Sequence, residues 1–188
     1  MSIKITTLVE NSVYGKGLQG EHGLSLLVDT GEHRLLFDTG ASDLFIRNAR
    51  ILGIDLKEVD FLVLSHGHRD HTGGLHHFLA VNDKAQVICK RELFRPKFKD
   101  ERENGVMQPN ALDSTRFRFV DEVTELCRGV FVFPQLPVTD EEDTHFEHFF
   151  TWTEGRKQAD TFTDELALVL KQGVEVSVLS ACSHRGIT

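Results

Sequence analysis

The segment Ser65-His66-Gly67-His68-Arg69-Asp70-His71-Thr72-Gly73-Gly74 places four side chains of metal-binding type within six positions. In an extended chain successive side chains point to opposite faces, so His66 and His68 point the same way and can grip one ion, with Gly67 leaving room between them. Asp70 and His71 fall where the chain turns into a helix, face the same pocket from another direction and can serve a second ion. Imidazole nitrogens with a hard carboxylate oxygen suit Zn²⁺, Mn²⁺ or Fe²⁺ better than Ca²⁺ or Mg²⁺. Composition agrees, since five of the 10 histidines (His66, His68, His71, His76 and His77) crowd into twelve residues.

These residues need a strand to present them and a helix to turn them. Phe61–Leu64 is continuously apolar, as a strand covered on both faces should be. Ahead of it come short strands over 4–9, 24–29 and 34–37, the last two joined by a Thr30-Gly31-Glu32-His33 turn, and an amphipathic helix over 41–52 that stops at Gly53. Gly73-Gly74 leads into a short helix through Leu79, and 86–89 is a further strand. The run 90–110, rich in Lys, Arg and Glu with Pro96 and Pro109, reads as an exposed excursion. Strands return over 116–120, 129–134, 166–170 and 174–179, with an acidic loop at 139–144 and a poorly patterned stretch to Thr161. Strand, helix and buried strand in succession are an α/β signature, and the many later strands suggest two packed sheets with helices outside. Phe61–Leu64 and the run 174–179 are expected to be interior strands in separate halves.

The 188 residues carry 21 basic and 29 acidic side chains, a net charge of −8, so nucleic acid and anionic membrane are poor partners. A small-molecule substrate is expected instead. No apolar run approaches the roughly 18–20 residues of a membrane span, and the start, MSIKITTLVEN, lacks the apolar core of a signal peptide, which makes the cytoplasm the expected compartment. Cys89, Cys127 and Cys182 form no CxxC pair, so reduced thiols are expected.

The pattern H-x-H-x-D-H after a strand, preceded by Leu35-Leu36-Phe37-Asp38-Thr39-Gly40, resembles the metallo-β-lactamase fold superfamily. Three further strings make the chain similar to that superfamily's dihydropterin-ribofuranosyl-aminobenzene-phosphate synthase-like hydrolases. They are Glu21-His22-Gly23-Leu24-Ser25, Asp164-Glu165-Leu166-Ala167-Leu168 and Ala181-Cys182-Ser183-His184-Arg185-Gly186-Ile187. The resemblance implies an α+β fold: one domain over 1–188, an αββα sandwich of two mixed β-sheets flanked by helices, with the metal site at the sheet edge. It also implies that His66, His68 and His184 hold one ion, that Asp70 and His71 begin a second, and that Asp38 stands behind the ligands to fix a histidine tautomer. Read without it, Asp38 is also a plausible turn residue and His184 an exposed loop histidine. His22 belongs to a shared string and is a candidate pocket residue.

Other tempting residues have blander readings. Cys182 is taken as a small core residue rather than a thiolate ligand, His76 and His77 as helix-surface residues, and His145 and His148 as part of a solvated loop. Arg91, Arg95 and Lys97 are read as exposed charges rather than a phosphate patch.

An ion with three protein ligands lowers the pKa of its water to about 7. The implied activity is therefore hydrolytic attack on a phosphoester or acyl centre, with Asp70 as catalytic ligand and orienter and with one or two divalent ions per chain, Zn²⁺ first and Mn²⁺ or Fe²⁺ next. A phosphorylated pterin precursor is the substrate the resemblance suggests. The rival readings are a di-iron redox protein handling oxygen or sulfur species, and a metal-dependent binding protein without turnover. Family members usually run on past the Ser-His-x-Gly-Ile string. The C-terminal part therefore looks absent here, the second metal site is expected to be weak unless His22 or another subunit completes it, and exposed sheet surface is expected to favour a homo-oligomer.

Overall fold

In the computed structural model, which describes residues 3–106 and 114–188, the chain divides into two compact units. The first holds 3–64, 68–88 and 114–118. Its elements are β1 (Lys4–Val9), β2 (Ser25–Asp29), β3 (Arg34–Phe37), α1 (Leu44–Ile51), β4 (Phe61–Val63), α2 (Arg69–Thr72), α3 (Leu75–Val81) and β5 (Gln86–Cys89). One mixed sheet runs β1-β2-β3-β4-β5 and ends on Phe117–Phe119. β1, β2 and β3 pair antiparallel, as hairpin-scale connections allow, whereas β3–β4 and β4–β5 are parallel and need the crossovers that α1 and the α2–α3 pair supply.

Leu35, Leu36, Phe37, Leu62 and Val63 are buried, which explains why β3 and β4 read as unbroken apolar runs. Helix α1 turns Leu44, Phe45 and Ala49 inward; sealing a side chain the size of Phe45 contributes about 1.5–3 kcal/mol. Asn48 on the same face is buried without penalty, because its amide donates to the Leu8 and Gln19 carbonyls and its oxygen accepts the Gln19 N–H.

The second unit holds 65–67, 89–106 and 119–188. It has two antiparallel four-stranded sheets. One orders Glu175–Leu179, Ala167–Gln172, Val130–Phe133 and Thr124–Cys127, and the other Arg156–Ala159, Phe149–Thr153, Lys97–Lys99 and Arg102–Glu103. Val130, Val132, Leu166, Leu168 and Leu170 form the interior of the first.

Three sequence expectations change here. The charged run 90–110 is not a plain excursion: Lys97–Lys99 is a strand and Lys97 is buried, although residues 107–110, Pro109 among them, lie outside the described residues. The poorly patterned stretch before Thr161 contains a hairpin whose Glu154-Gly155 turn has φ of 53° and 76°, the paired positive φ of a type I′ turn. Glu175–Leu179 is an edge strand rather than an interior one, with Val176 and Val178 58% and 61% exposed. An apolar run marks strand propensity, and the order of strands decides whether both faces are covered. Among the described residues no helix is long and apolar enough to cross a membrane.

Candidate metal centre

In the first unit β4 delivers the chain to His68, the residue before α2, and α2 carries Asp70 and His71. The end of β3 holds that helix. The Thr39 N–H and hydroxyl both donate to the His71 carbonyl, at 2.8 and 3.0 Å. Asp38, at φ 60°, donates its N–H to the Val63 carbonyl and brings its carboxylate 2.8 Å from His71 Nδ1. A carboxylate only accepts, so Nδ1 carries a hydrogen and Nε2 is the atom that faces Asp70, a donor when the ring is protonated and a lone pair when it is neutral. That Nε2 lies 3.3 Å from Asp70 Oδ2, and His22 Nε2 lies 3.4 Å from the same oxygen. The other nitrogen of His22 faces the Asn11 side-chain oxygen at 2.9 Å, which leaves Nε2 directed at Asp70. Burial alone would raise the Asp70 pKa, but the hydrogen bond and charge of His71, with His68 behind, hold it down to about 2. Gly23 permits the approach: at φ 140° a Cβ there would meet the Asp70 carbonyl at 2.2 Å.

In the second unit His66 and His184, 118 positions apart, have ring centroids 5.2 Å apart, with a ligating atom of each within 4.8 Å of the other. Their loops are clamped by one short segment. Asp164 Oδ2 accepts the Gly67 N–H at 2.7 Å, Leu166 donates to the Ser65 carbonyl, and the two oxygens of Glu165 accept the N–H groups of His184 and Arg185, each at 2.9 Å. Burial pushes the Glu165 pKa up, with the two amides pulling the other way. His184 Nδ1 donates to the His145 carbonyl, leaving Nε2 as the ligating atom, and its ring stacks on Phe162 at 3.8 Å with Phe149 edge-on at 5.0 Å. Phe162 sits at φ 52° and Ser183 at φ 51°. Left-handed backbone at a buried Phe and beside a candidate ligand is strain of the kind that collects at functional sites.

His68, Asp70, His71, Asp38 and His22 lie in the first unit, and His66 and His184 in the second. Cys182 is exposed, which overturns its reading as a core residue. Its sulfur is within 4.8 Å of a His66 ring nitrogen. The His76 and His77 rings lie against each other, tilted by 39°, and His148 pairs with Asp100. Arg91 covers the Phe119 ring and Arg95 pairs with Glu92. The Asp164-Glu165-Leu166 string works as a backbone clamp that the sequence motif alone does not reveal, and Lys97 is buried where an exposed charge is expected. The signal for the clamp is two adjacent carboxylates just before a strictly apolar strand, where a solvated pair has little reason to be.

The chain matches the metallo-beta-lactamase superfamily model over residues 18–164. It is 29% identical to the 7,8-dihydropterin-6-methyl-4-(β-D-ribofuranosyl)-aminobenzene-5′-phosphate synthase of Methanocaldococcus jannaschii, covering 99% of this chain and 69% of the relative. An uncharacterised protein of the same organism is also 29% identical, with 97% and 70% covered. A crystal structure described as a metal-dependent hydrolase of the β-lactamase superfamily superposes with a TM-score of 0.80 at 34% identity, covering 98% of this chain and 68% of that one. A metallo-β-lactamase from Cronobacter sakazakii superposes at 0.52 with 17% identity, over 84% and 56%, a likeness of fold.

Proposed function

The chain belongs to the metallo-β-lactamase superfamily and has its fold, and from that premise we propose that it is a metal-dependent hydrolase acting on a phosphoester or acyl centre of a small molecule. In this reading His66, His68 and His184 hold one divalent transition-metal ion, Zn²⁺ first and Mn²⁺ or Fe²⁺ next, while Asp70 and His71, joined by His22, hold a second. The observation that carries it is the meeting of Asp70 Oδ2 with the Nε2 atoms of His71 and His22 at 3.3 and 3.4 Å. A carboxylate and two imidazole nitrogens that close need positive charge among them, which a proton on a ring supplies in the metal-free chain and a divalent ion supplies in its place.

Such ions supply Lewis acidity, which makes water nucleophilic at neutral pH and polarises a phosphoryl or carbonyl oxygen. The chain's own residues do the rest. Asp38 holds His71 in the tautomer that presents Nε2, and the His145 carbonyl does the same for His184. Asp70, ionised well below neutral pH, orients the attacking water through a carboxylate oxygen. Phe162 and Phe149 shield the His184 ring from solvent. The Methanocaldococcus relative is named as synthase of a dihydropterin 5′-phosphate and the similar crystal structure is described as a hydrolase, which supports a phosphorylated pterin precursor as the first substrate to try.

Elemental analysis and turnover on a phosphoester and ester panel test the reading. The wild-type chain should carry transition metal, His66→Ala should lose most of it, and Asp70→Ala should fold but not hydrolyse. Full occupancy in His66→Ala would remove it as a ligand. Retained hydrolysis in Asp70→Ala would sink the mechanism, and bond formation without hydrolysis would move the chain to the synthase side of its relatives.

A further inference from the structure

Lys97 is 2% exposed, among the most deeply buried of the large side chains described. Its ammonium donates to Asp160 Oδ2 at 2.7 Å and Asp164 Oδ1 at 2.9 Å, and lies 5.4 Å from the centre of the Phe162 ring. Burial alone would lower its pKa, but the charges of Asp164 and Asp160 outweigh that and hold it above the ordinary value, so the ammonium persists. Removing three charges from water is costly, and such a cluster is weak evidence for stability as such. Direction is what it secures. The second oxygen of Asp164 takes the Gly67 N–H at 2.7 Å, and the second oxygen of Asp160 takes the Phe162 N–H at 2.8 Å. Each carboxylate is therefore pinned by Lys97 on one side and reaches a loop on the other: the Gly67 amide beside His66, and the Phe162 backbone whose ring stacks on His184. The stem of Lys97 also packs on the same glycine, since a Cβ at Gly67 would meet Lys97 Cε at 2.8 Å and the Leu93 carbonyl at 2.4 Å.

We infer that Lys97 is a positioning residue of the metal centre: through Asp164 on the Gly67 amide and Asp160 on the Phe162 amide, it sets the His66 and His184 imidazoles at ligating separation. The inference rests on the reading of those two histidines as ligands. It is not a charge reservoir or a substrate contact, because both of its ion-pair partners are spent on backbone.

The test uses the full chain with Lys97→Met, measuring Gly67 amide hydrogen exchange in the metal-free protein, Co²⁺ affinity by chelator competition, and the Co²⁺ d–d spectrum. Lys97→Met should speed Gly67 exchange by about tenfold, weaken Co²⁺ by about 10–100-fold and shift the spectrum. A Lys97 that merely braces the fold would lower the melting temperature while leaving affinity and spectrum as in wild type, and that result overturns the inference. Should Lys97→Met fail to fold with two carboxylates left uncompensated, the charge-balanced Lys97→Met, Asp160→Asn, Asp164→Asn chain takes its place. The side-chain amide oxygen that Asp164→Asn leaves at this position can still accept from Gly67, so wild-type exchange and affinity there also overturn it. A wild-type chain that takes up no Co²⁺ would fell the ligand reading instead, and Gly67 exchange would still decide whether Lys97 holds that amide.

Discussion

The two units hold their candidate ligands by opposite means. In the first, a carboxylate grips the ligand ring itself: Asp38 accepts from His71 Nδ1, and Asp70 faces both His71 and His22. In the second, carboxylates grip the backbone that carries the rings, Asp164 at Gly67 and Glu165 at His184 and Arg185. A ring-held ligand sits on a helix and strand end already fixed by the sheet, so its partner only needs to set a tautomer. A loop-held ligand has no regular element to fix it, so the carboxylates must supply the hydrogen bonds that a ladder would have supplied. Losing a ring partner should therefore cost metal affinity alone, whereas losing a backbone partner should cost stability as well.

Glu165→Ala should show the larger effect. It strips one buried and one half-buried N–H group of their acceptor, the buried one worth about 1–3 kcal/mol when left unsatisfied and the other less, so a loss of about 2–4 kcal/mol is expected. At about 2–4 °C per kcal/mol for a chain of this size, thermal unfolding of the metal-free protein should register it plainly. A melting temperature within about 2 °C of wild type would mean that the His184 loop does not depend on the clamp.

Asp38→Asn sharpens the contrast from the other side. Asn keeps the volume and tolerates the left-handed backbone at this position, but removes the charge behind His71. Metal affinity should fall by about 10–100-fold, with the metal-free melting temperature close to wild type. Calorimetric metal titration beside thermal unfolding separates the two readouts. Equal destabilisation by Asp38→Asn and Glu165→Ala would erase the distinction between ring-held and backbone-held ligands.

The same contrast explains what could be read from the chain alone. His66, His68, Asp70 and His71 were legible as candidates because four side chains of ligand type share six positions after an apolar strand, so spacing by itself points to the chemistry. The carboxylate of Asp164 acts 97 positions from the Gly67 amide it holds, and no local periodicity reports a contact of that range. Lys97 was hidden by its neighbours: a strand of three residues amid Lys, Arg and Glu is too short to show an alternation, and burial of a lysine becomes intelligible only once Asp160 and Asp164 stand beside it. β3, β4 and α1 were readable in type because their burial is nearly complete. The Glu175–Leu179 strand was readable as a strand but not as an edge, since edge position follows from pairing order, and valines alternating with Glu175 and Ser177 do not report it.

The smallest expected effect comes from a clamp of the second kind placed at the surface of the first unit. Asp60 accepts the Arg34 N–H at 3.2 Å and pairs with Lys84 at 3.1 Å and His33 at 3.3 Å, much as Glu165 serves His184, but its side chain is 30% exposed. Burial raises its pKa, and the Arg34 amide with Lys84 and His33 more than reverse that, so the folded value lies below the ordinary 3.8. A depressed carboxylate pKa means that the stabilisation is present above 3.8 and is lost as pH falls through the lower folded value. Water replaces the lost partner at an exposed site and salt screens the pair, so Asp60→Asn should cost only about 0.2–1 kcal/mol at neutral pH. Urea unfolding of wild type and variant should show that gap at pH 7 and a narrowing gap below 3.8. If the gap at pH 7 matched that of Glu165→Ala, burial would not be what separates a structural clamp from a surface pair; if it failed to narrow in acid, the ionised Asp60 would not be its source.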